Sequence, residues 1–184
     1  EHGSGGAIIL AAQAALRTGA GLVSVATRAA HVPALLARCP EVMAHAVESS
    51  AELLPLLARA DVIAIGPGLG QGEWGRAMLA AVLHTPTPRV LDADALNLLA
   101  ASAATLGEDD IITPHPGEAA RLLATTTTDI QADRFAAATA LQDKFGSTVV
   151  LKGAGSLVQA AGSVPAVIGA GNPGMGVGGM GDVL

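Results

Sequence analysis

Short, compact apolar runs alternate along the chain with longer segments whose apolar residues recur at helical spacing, and glycine, proline and small polar residues separate them. From the N-terminus, a glycine-rich start (Gly3, Gly5, Gly6) leads into an alanine-rich helical run to Thr18, where Gly19 and Gly21 supply the stop. A strand is expected at 22–27, a short helix at 33–38, a strand at 42–47, and a helix at 51–59 broken or started near Pro55. The apolar run 61–65 reads as a strand closed by Gly66-Pro67-Gly68. The alternation continues with a helix at 73–83, a strand at 89–91, a helix at 95–101 and a strand at 111–113. Helices follow at 117–124 and 129–145, then strands at 148–151, 156–159 and 166–168.

This order, without a repeat or a linker, predicts one domain over residues 1–184 with a doubly wound α/β architecture: a mostly parallel central sheet with helices on both faces. Strands that are apolar without polar alternation fit a sheet covered on both sides. Composition agrees, since 51% of the residues are hydrophobic and 14% charged, too apolar a chain to stay disordered. With two Phe, one Trp and no Tyr, the core must be built from Ala, Leu, Val and Ile. The net charge of −6 and the scarcity of aromatics argue against a nucleic-acid partner.

Cys39 is the only cysteine, so no internal disulfide or multi-cysteine zinc site can form; it reads as a small buried residue in a reducing compartment, the cytoplasm. Residues 7–16 are apolar but too short to span a bilayer and read as a core helix, so no membrane is expected. The chain opens on Glu1 and stops at Leu184 where a helix begins, which reads as a fragment lacking its C-terminal helices.

In open parallel sheets, ligands bind beyond the carboxyl ends of the strands, which directs attention to the residues that follow each one. The turn 66–70 is rich in glycine and would let a backbone approach a ligand, or it is a plain tight turn. Asp92 and Asp94 follow the next strand. Asp94 reads as the cap of the following helix, and Asp92 as the better candidate for a polar task, such as holding a metal through water. In Thr113-Pro114-His115-Pro116-Gly117-Glu118, two prolines fix a histidine between strand and helix, with Pro116 as first helical residue and Glu118 at the positive helix end. The histidine is either structural or aimed at a ligand. Lys152-Gly153-Ala154-Gly155-Ser156 joins two strands and would contact nucleotide phosphates, although a glycine-rich hairpin turn looks similar.

The stretch 171–182 holds six glycines in twelve residues and ends in Asp182. Such a loop entering a helix directs several N–H groups at an anion, and Asp182 there suits a base better than a helix cap. Neither glycine segment has P-loop spacing, and no strand is followed by a dinucleotide fingerprint, which disfavours a P-loop enzyme and a Rossmann dehydrogenase.

Taken in order, GSGGA, RTGAGLVSVAT, IGPGLG, LDADALNLL, ITPHPGEAARLL, VVLKGAGSLV and GNPGMGVGGMGDVL resemble the NAD(P)H-hydrate dehydratase family over nearly the whole chain. TPHPGE and GGMGD are the most specific segments. The resemblance implies a ribokinase-like fold and a lyase that uses ADP or ATP, with Mg2+, to dehydrate hydrated NADH and NADPH. It implies contacts to the hydrate at Ala7, Gly68, His115 and Asp182, nucleotide contacts at Lys152, Gly153, Ala154, Gly155, Ser156 and Gly181, and no protein-only metal site. Asp182 would be the catalytic base, and ADP is preferred because bacterial members generally use it.

The family also implies a homotetramer and, in some members, an epimerase domain on the N-terminal side. Two departures stand out. Met180 replaces a hydroxyl residue found in many relatives, and the helices that follow the catalytic Asp lie beyond this sequence. The competing readings are a ribokinase-like kinase that leaves its phosphate on a sugar, vitamin or pyrimidine, and a nucleotide-binding module without catalysis.

Overall fold

The computed structural model describes residues 1–102 and 104–184, which divide into two compact units. The first comprises Glu1–Asp61, Pro67–Thr87 and Gly176–Leu184, the second Val62–Gly66 and Pro88–Met175.

In the first unit, helix α1 (Gly5–Arg17) precedes strand β1 (Ser24–Thr27), helix α2 (Val32–Arg38), strand β2 (Met43–Ala46) and helices α3 (Ser50–Leu57) and α4 (Glu73–Leu83). β1 and β2 pair in parallel, with Ser24 opposite Met43 and Thr27 opposite Ala46. The glycine-rich start does not delay α1, which takes Gly5 and Gly6 into its first turn and carries Arg17 in its last, where a cation complements the helix dipole. Ala12, Val25, Leu35, Cys39 and Val42 form the core of this unit, with Ile8, Ile9 and Leu16 of α1 packed against it. Pro55 neither starts nor breaks α3: two residues follow it, and the buried Leu53 and Leu57 hold the helix on either side of the lost N–H.

Cys39 is buried as its size and setting suggest, and burial, then the Glu41 carboxylate, push its thiol up. A thiol kept in its protonated form and out of solvent is a poor nucleophile. The folded protein is expected to resist a disulfide reagent that labels Cys39 at once after denaturation; rapid labelling of the native protein would contradict this burial.

The second unit holds strands β3 (Ile63–Ile65) and β4 (Arg89–Leu91), helix α5 (Ala93–Ala100), strand β5 (Ile111–Ile112) and helices α6 (Pro116–Leu123), α7 (Thr127–Ala132) and α8 (Arg134–Phe145). Strands β6 (Thr148–Leu151), β7 (Ser156–Gln159) and β8 (Ala166–Ile168) follow. Among the described residues these strands form one sheet in sequence order. The pairs from β3 to β6 are parallel, and β6–β7 and β7–β8 antiparallel, which gives the α/β fold with a mostly parallel sheet that the strand–helix alternation predicts. Leu91, Ile112, Val149 and Leu151 are fully buried along it. Parallel pairing brings the carboxyl ends of β3, β4 and β5 to one end of the sheet. Asp92 N–H donates to the Ile65 carbonyl, Thr113 N–H to Leu91, and Lys152 N–H to Pro114.

Two ion-pair partners stand at the start of neighbouring strands. Arg89 Nε donates to Asp110 Oδ1 (2.9 Å) and Nη2 to Oδ2 (2.6 Å), and the same carboxylate accepts the N–H groups of Arg89 and Gly107. The single helix expected at 129–145 is two. Thr126 and Asp129 cap α7 reciprocally, and Asp133 leaves helical geometry to accept the Ala136 N–H and cap α8. The chain returns to the first unit with the short helix α9 (Met180–Val183).

Among the described residues, no helix is long and apolar enough to cross a membrane.

Candidate functional site

At the strand ends of the second unit, Gly66 lies so close to Asp92 that a Cβ would fall 1.7 Å from the Asp92 carbonyl oxygen, and its φ of +133° is itself one that side chains rarely adopt. This glycine serves the approach of two backbones. Asp92, buried, stands at the N-cap position of α5, but its side chain makes no capping bond; instead its Oδ1 accepts from Lys152 Nζ at 2.6 Å. Asp94, expected to cap, sits inside the first turn. The cap slot falls two residues earlier because the helix begins at Ala93, which takes a left-handed φ of +48°.

Lys152 also lies 3.9 Å from Glu118 Oε2, so a half-buried ammonium stands between two buried carboxylates. Burial raises the cost of an unpaired charge, and here each carboxylate has the ammonium as a counter-charge. Glu118 accepts the His115 N–H at 2.8 Å, and His115 Nδ1 accepts the N–H groups of Gly117 (2.9 Å) and Glu118 (3.3 Å), a reciprocal cap on α6 with Pro116 as first helical residue. An imidazole that accepts at Nδ1 carries its proton on Nε2, so the half-exposed His115 presents a donor edge, 3.5 Å from Glu118 Oε1. The structural and ligand-directed readings of this histidine are therefore compatible.

Lys152–Ser156 closes the antiparallel hairpin between β6 and β7. Ser156 Oγ donates to the Gly153 carbonyl and accepts the Gly153 N–H, and the N–H groups of Ala154 and Gly155 have no acceptor among the described residues. Arg134, the first residue of α8, donates from both terminal nitrogens to the carbonyls of this loop.

Ala7, Gly68, Gly181 and Asp182 belong to the first unit. Ala7, in the first turn of α1, lies beside Gly68: a Cβ on that glycine would sit 3.4 Å from Ala7 Cβ. α9 packs on the same helix, where Gly179, in left-handed geometry, stands against Leu10. Asp182 occupies the first turn of α9 and Gly179 the N-cap, so Asp182 is not the cap that the simpler reading would make it. Of the six glycines in 171–182, Gly179 takes a positive φ. The run is divided between the two units after Met175.

Sequence reasoning passed over two groups of residues. Arg134 was hidden because a continuous helix over 129–145 leaves it mid-helix. Around the start of α1, Arg28 pairs with Glu48 (2.7 Å), lies 5.2 Å from the Trp74 ring centre, and bonds His2. His31 bonds Thr27 there, and burial, followed by neighbouring positive groups, holds its imidazole below the usual range. Among the described residues, no group of three or more His, Cys, Asp or Glu side chains is placed to hold a metal ion.

A sequence model of the family described as NAD(P)H-hydrate dehydratase matches residues 1–184. The chain is 52% identical to the bifunctional NAD(P)H-hydrate repair enzyme Nnr of Coxiella burnetii over 184 residues, all of this chain and 38% of that protein. It is 43% identical to the ADP-dependent (S)-NAD(P)H-hydrate dehydratase of Neisseria meningitidis, covering 99% of this chain and 63% of the relative. Its structure superposes with a TM-score of 0.83 at 28% identity on the ADP/ATP-dependent NAD(P)H-hydrate dehydratase from Bacillus subtilis, co-crystallised with ATP and Mg2+ and soaked with CoA, covering all of this chain and 67% of that one.

Proposed function

The chain belongs to the NAD(P)H-hydrate dehydratase family, and from that premise we propose that the protein dehydrates the S form of NAD(P)H hydrate to NAD(P)H at the expense of ADP, with ATP as the alternative donor. The observation that carries the reading is a family match that runs over residues 1–184 and so takes in both TPHPGE and GGMGD.

In this reading, Asp182 accepts the proton of the hydroxyl on the hydrated ring as its oxygen attacks the terminal phosphorus of the nucleotide. The new P–O bond forms as the bond to the departing AMP breaks. The ring C–O bond then breaks with loss of phosphate, and a proton leaves the adjacent ring carbon to restore the double bond. Phosphorylation matters because hydroxide is a poor leaving group and phosphate a good one. Ala7, Gly68 and His115 orient the hydrate, His115 through its Nε2–H edge. Lys152 to Ser156 and Gly181 hold the nucleotide, with Lys152 and the unpaired amides of Ala154 and Gly155 as donors to phosphate oxygens.

Magnesium binds typically through one or two carboxylates plus substrate phosphates rather than an all-protein cage, and Asp92 would reach it through water once Lys152 turns from that carboxylate to the phosphates. When bound, the ion neutralises charge on the transferring phosphoryl group. The same reading carries a cytoplasmic location, a homotetramer, and an epimerase domain on the N-terminal side, as befits kinship with bifunctional enzymes.

The test is direct. The complete protein, incubated with hydrated NADH and ADP or ATP, is expected to restore the NADH absorbance with release of one phosphate per ring repaired. Stable phosphorylation of a sugar, vitamin or pyrimidine with no recovery of absorbance would replace this reading by that of a small-molecule kinase.

A further inference from the structure

We propose that Arg134 is a positioning residue of the nucleotide loop, turning the loop's carbonyls away from the phosphates so that its amides face them. The inference rests on the assignment of 152–156 to nucleotide binding. It concerns a residue outside that loop and outside every motif that carries the family resemblance.

Arg134 Nη1 donates to the carbonyls of Ala154 (2.8 Å) and Gly155 (3.0 Å), and Nη2 to those of Leu151 (3.1 Å) and Lys152 (3.4 Å). Four carbonyls in a five-residue stretch thus converge on one guanidinium. A trans peptide points its C=O and the N–H of the next residue to opposite sides. Holding the Ala154 carbonyl toward Arg134 therefore turns the Gly155 N–H away from it, while the Gly153 N–H, opposite the Lys152 carbonyl, is taken by Ser156 Oγ. A hairpin loop whose carbonyls faced outward would repel an anion; this one presents amides, with no acceptor among the described residues for those of Ala154 and Gly155.

Only arginine fits the task. Its planar fork offers donors at fixed angles to several acceptors at once, whereas lysine is a point donor. Arg134 Nε is buried with no hydrogen-bond partner, a loss of stability that a purely structural arginine would have little reason to carry. Gly153 completes the fit: with φ +153°, a Cβ there would lie 2.9 Å from Arg134 Nη2. The break of helix at Asp133 is what sets Arg134 at the start of α8 beneath the loop.

The experiment uses the complete protein and ADP as the probe. Arg134→Lys keeps the charge and loses the fork; the dissociation constant and KM for ADP are expected to rise roughly 10- to 100-fold, with KM for the hydrate nearly unchanged. A merely structural role would lower Tm and leave the ADP affinity of the folded protein alone. Gly153→Ala puts a Cβ 2.9 Å from Arg134 Nη2 at a backbone angle alanine rarely adopts, so it pushes the guanidinium off the loop; ADP affinity is expected to fall in the same direction, with some loss of Tm. Wild-type ADP affinity in both variants overturns the proposal. A wild-type protein that binds no ADP instead removes the nucleotide assignment beneath it, a separate result.

Discussion

Replacing Asp182 with Asn is expected to lower kcat for hydrate repair by roughly 10²- to 10⁴-fold, with ADP binding retained. Asn matches Asp in size and can still hydrogen-bond, but it cannot take up the hydroxyl proton as the phosphoryl group transfers. Asp182 lies in the first turn of a four-residue helix whose N-cap is Gly179, and it is half-buried, so the substitution removes no helix cap. It does remove a charge at the helix's positive end, a contribution of about 0.3–1 kcal/mol. A structural role would therefore show as a small shift in Tm with turnover intact. A catalytic role shows as lost turnover with intact calorimetric binding of ADP. Some residual rate is expected, since the nucleotide and hydrate contacts persist without the base. A kcat within a few fold of wild type would end the assignment of Asp182 as base.

The elements most legible in the sequence are those whose own residues decide them. The helix Glu73–Leu83 and the strands Arg89–Leu91, Thr148–Leu151, Ser156–Gln159 and Ala166–Ile168 stand where the apolar pattern puts them. The misreadings came where a side chain competes with the backbone. Asp133 looks tolerable inside a helix until its carboxylate is seen to accept an N–H three residues on and start a new one. Asp94 looks like a cap because it follows a strand, yet Ala93 takes the left-handed turn that moves the cap slot to Asp92.

At the site, Asp92, His115, Glu118 and Lys152 were each visible as residues at strand ends. Their pairing was not: Asp92 and Lys152 are sixty positions apart, on strands separated by β5, and only the parallel run of β4, β5 and β6 brings their carboxyl ends to one side. Arg134 carried no signal at all, because its partners are carbonyls, which every residue has.

The second large effect is one of stability. Asp110→Ala is expected to destabilise the protein by about 3–5 kcal/mol, or about 10 °C in Tm for a domain of this size. Asp110 is almost wholly buried, accepts two bonds from the Arg89 side chain, and also satisfies the backbone N–H groups of Arg89 and Gly107. Its loss takes from a buried guanidinium the carboxylate that accepts two of its bonds, and from two amides their acceptor. Adding Arg89→Met to Asp110→Ala should return part of the stability by removing the buried charge, and not all of it, because the amides still lack that acceptor. Burial alone would push the Asp110 carboxyl up, but the hydrogen bonds from Arg89 and Gly107 and the Arg89 charge outweigh it and hold the group below its ordinary value. A carboxylate depressed in the folded state stabilises fully above its unfolded value of about 4, and that contribution is lost as pH falls through the folded value. Chemical denaturation from pH 7 down to pH 2 should therefore show the wild-type protein losing stability in acid more steeply than Asp110→Asn, with the two curves converging at the lowest pH. Parallel curves, or an Asp110→Ala variant within about 1 kcal/mol of wild type, would mean that the buried pair contributes nothing to the fold.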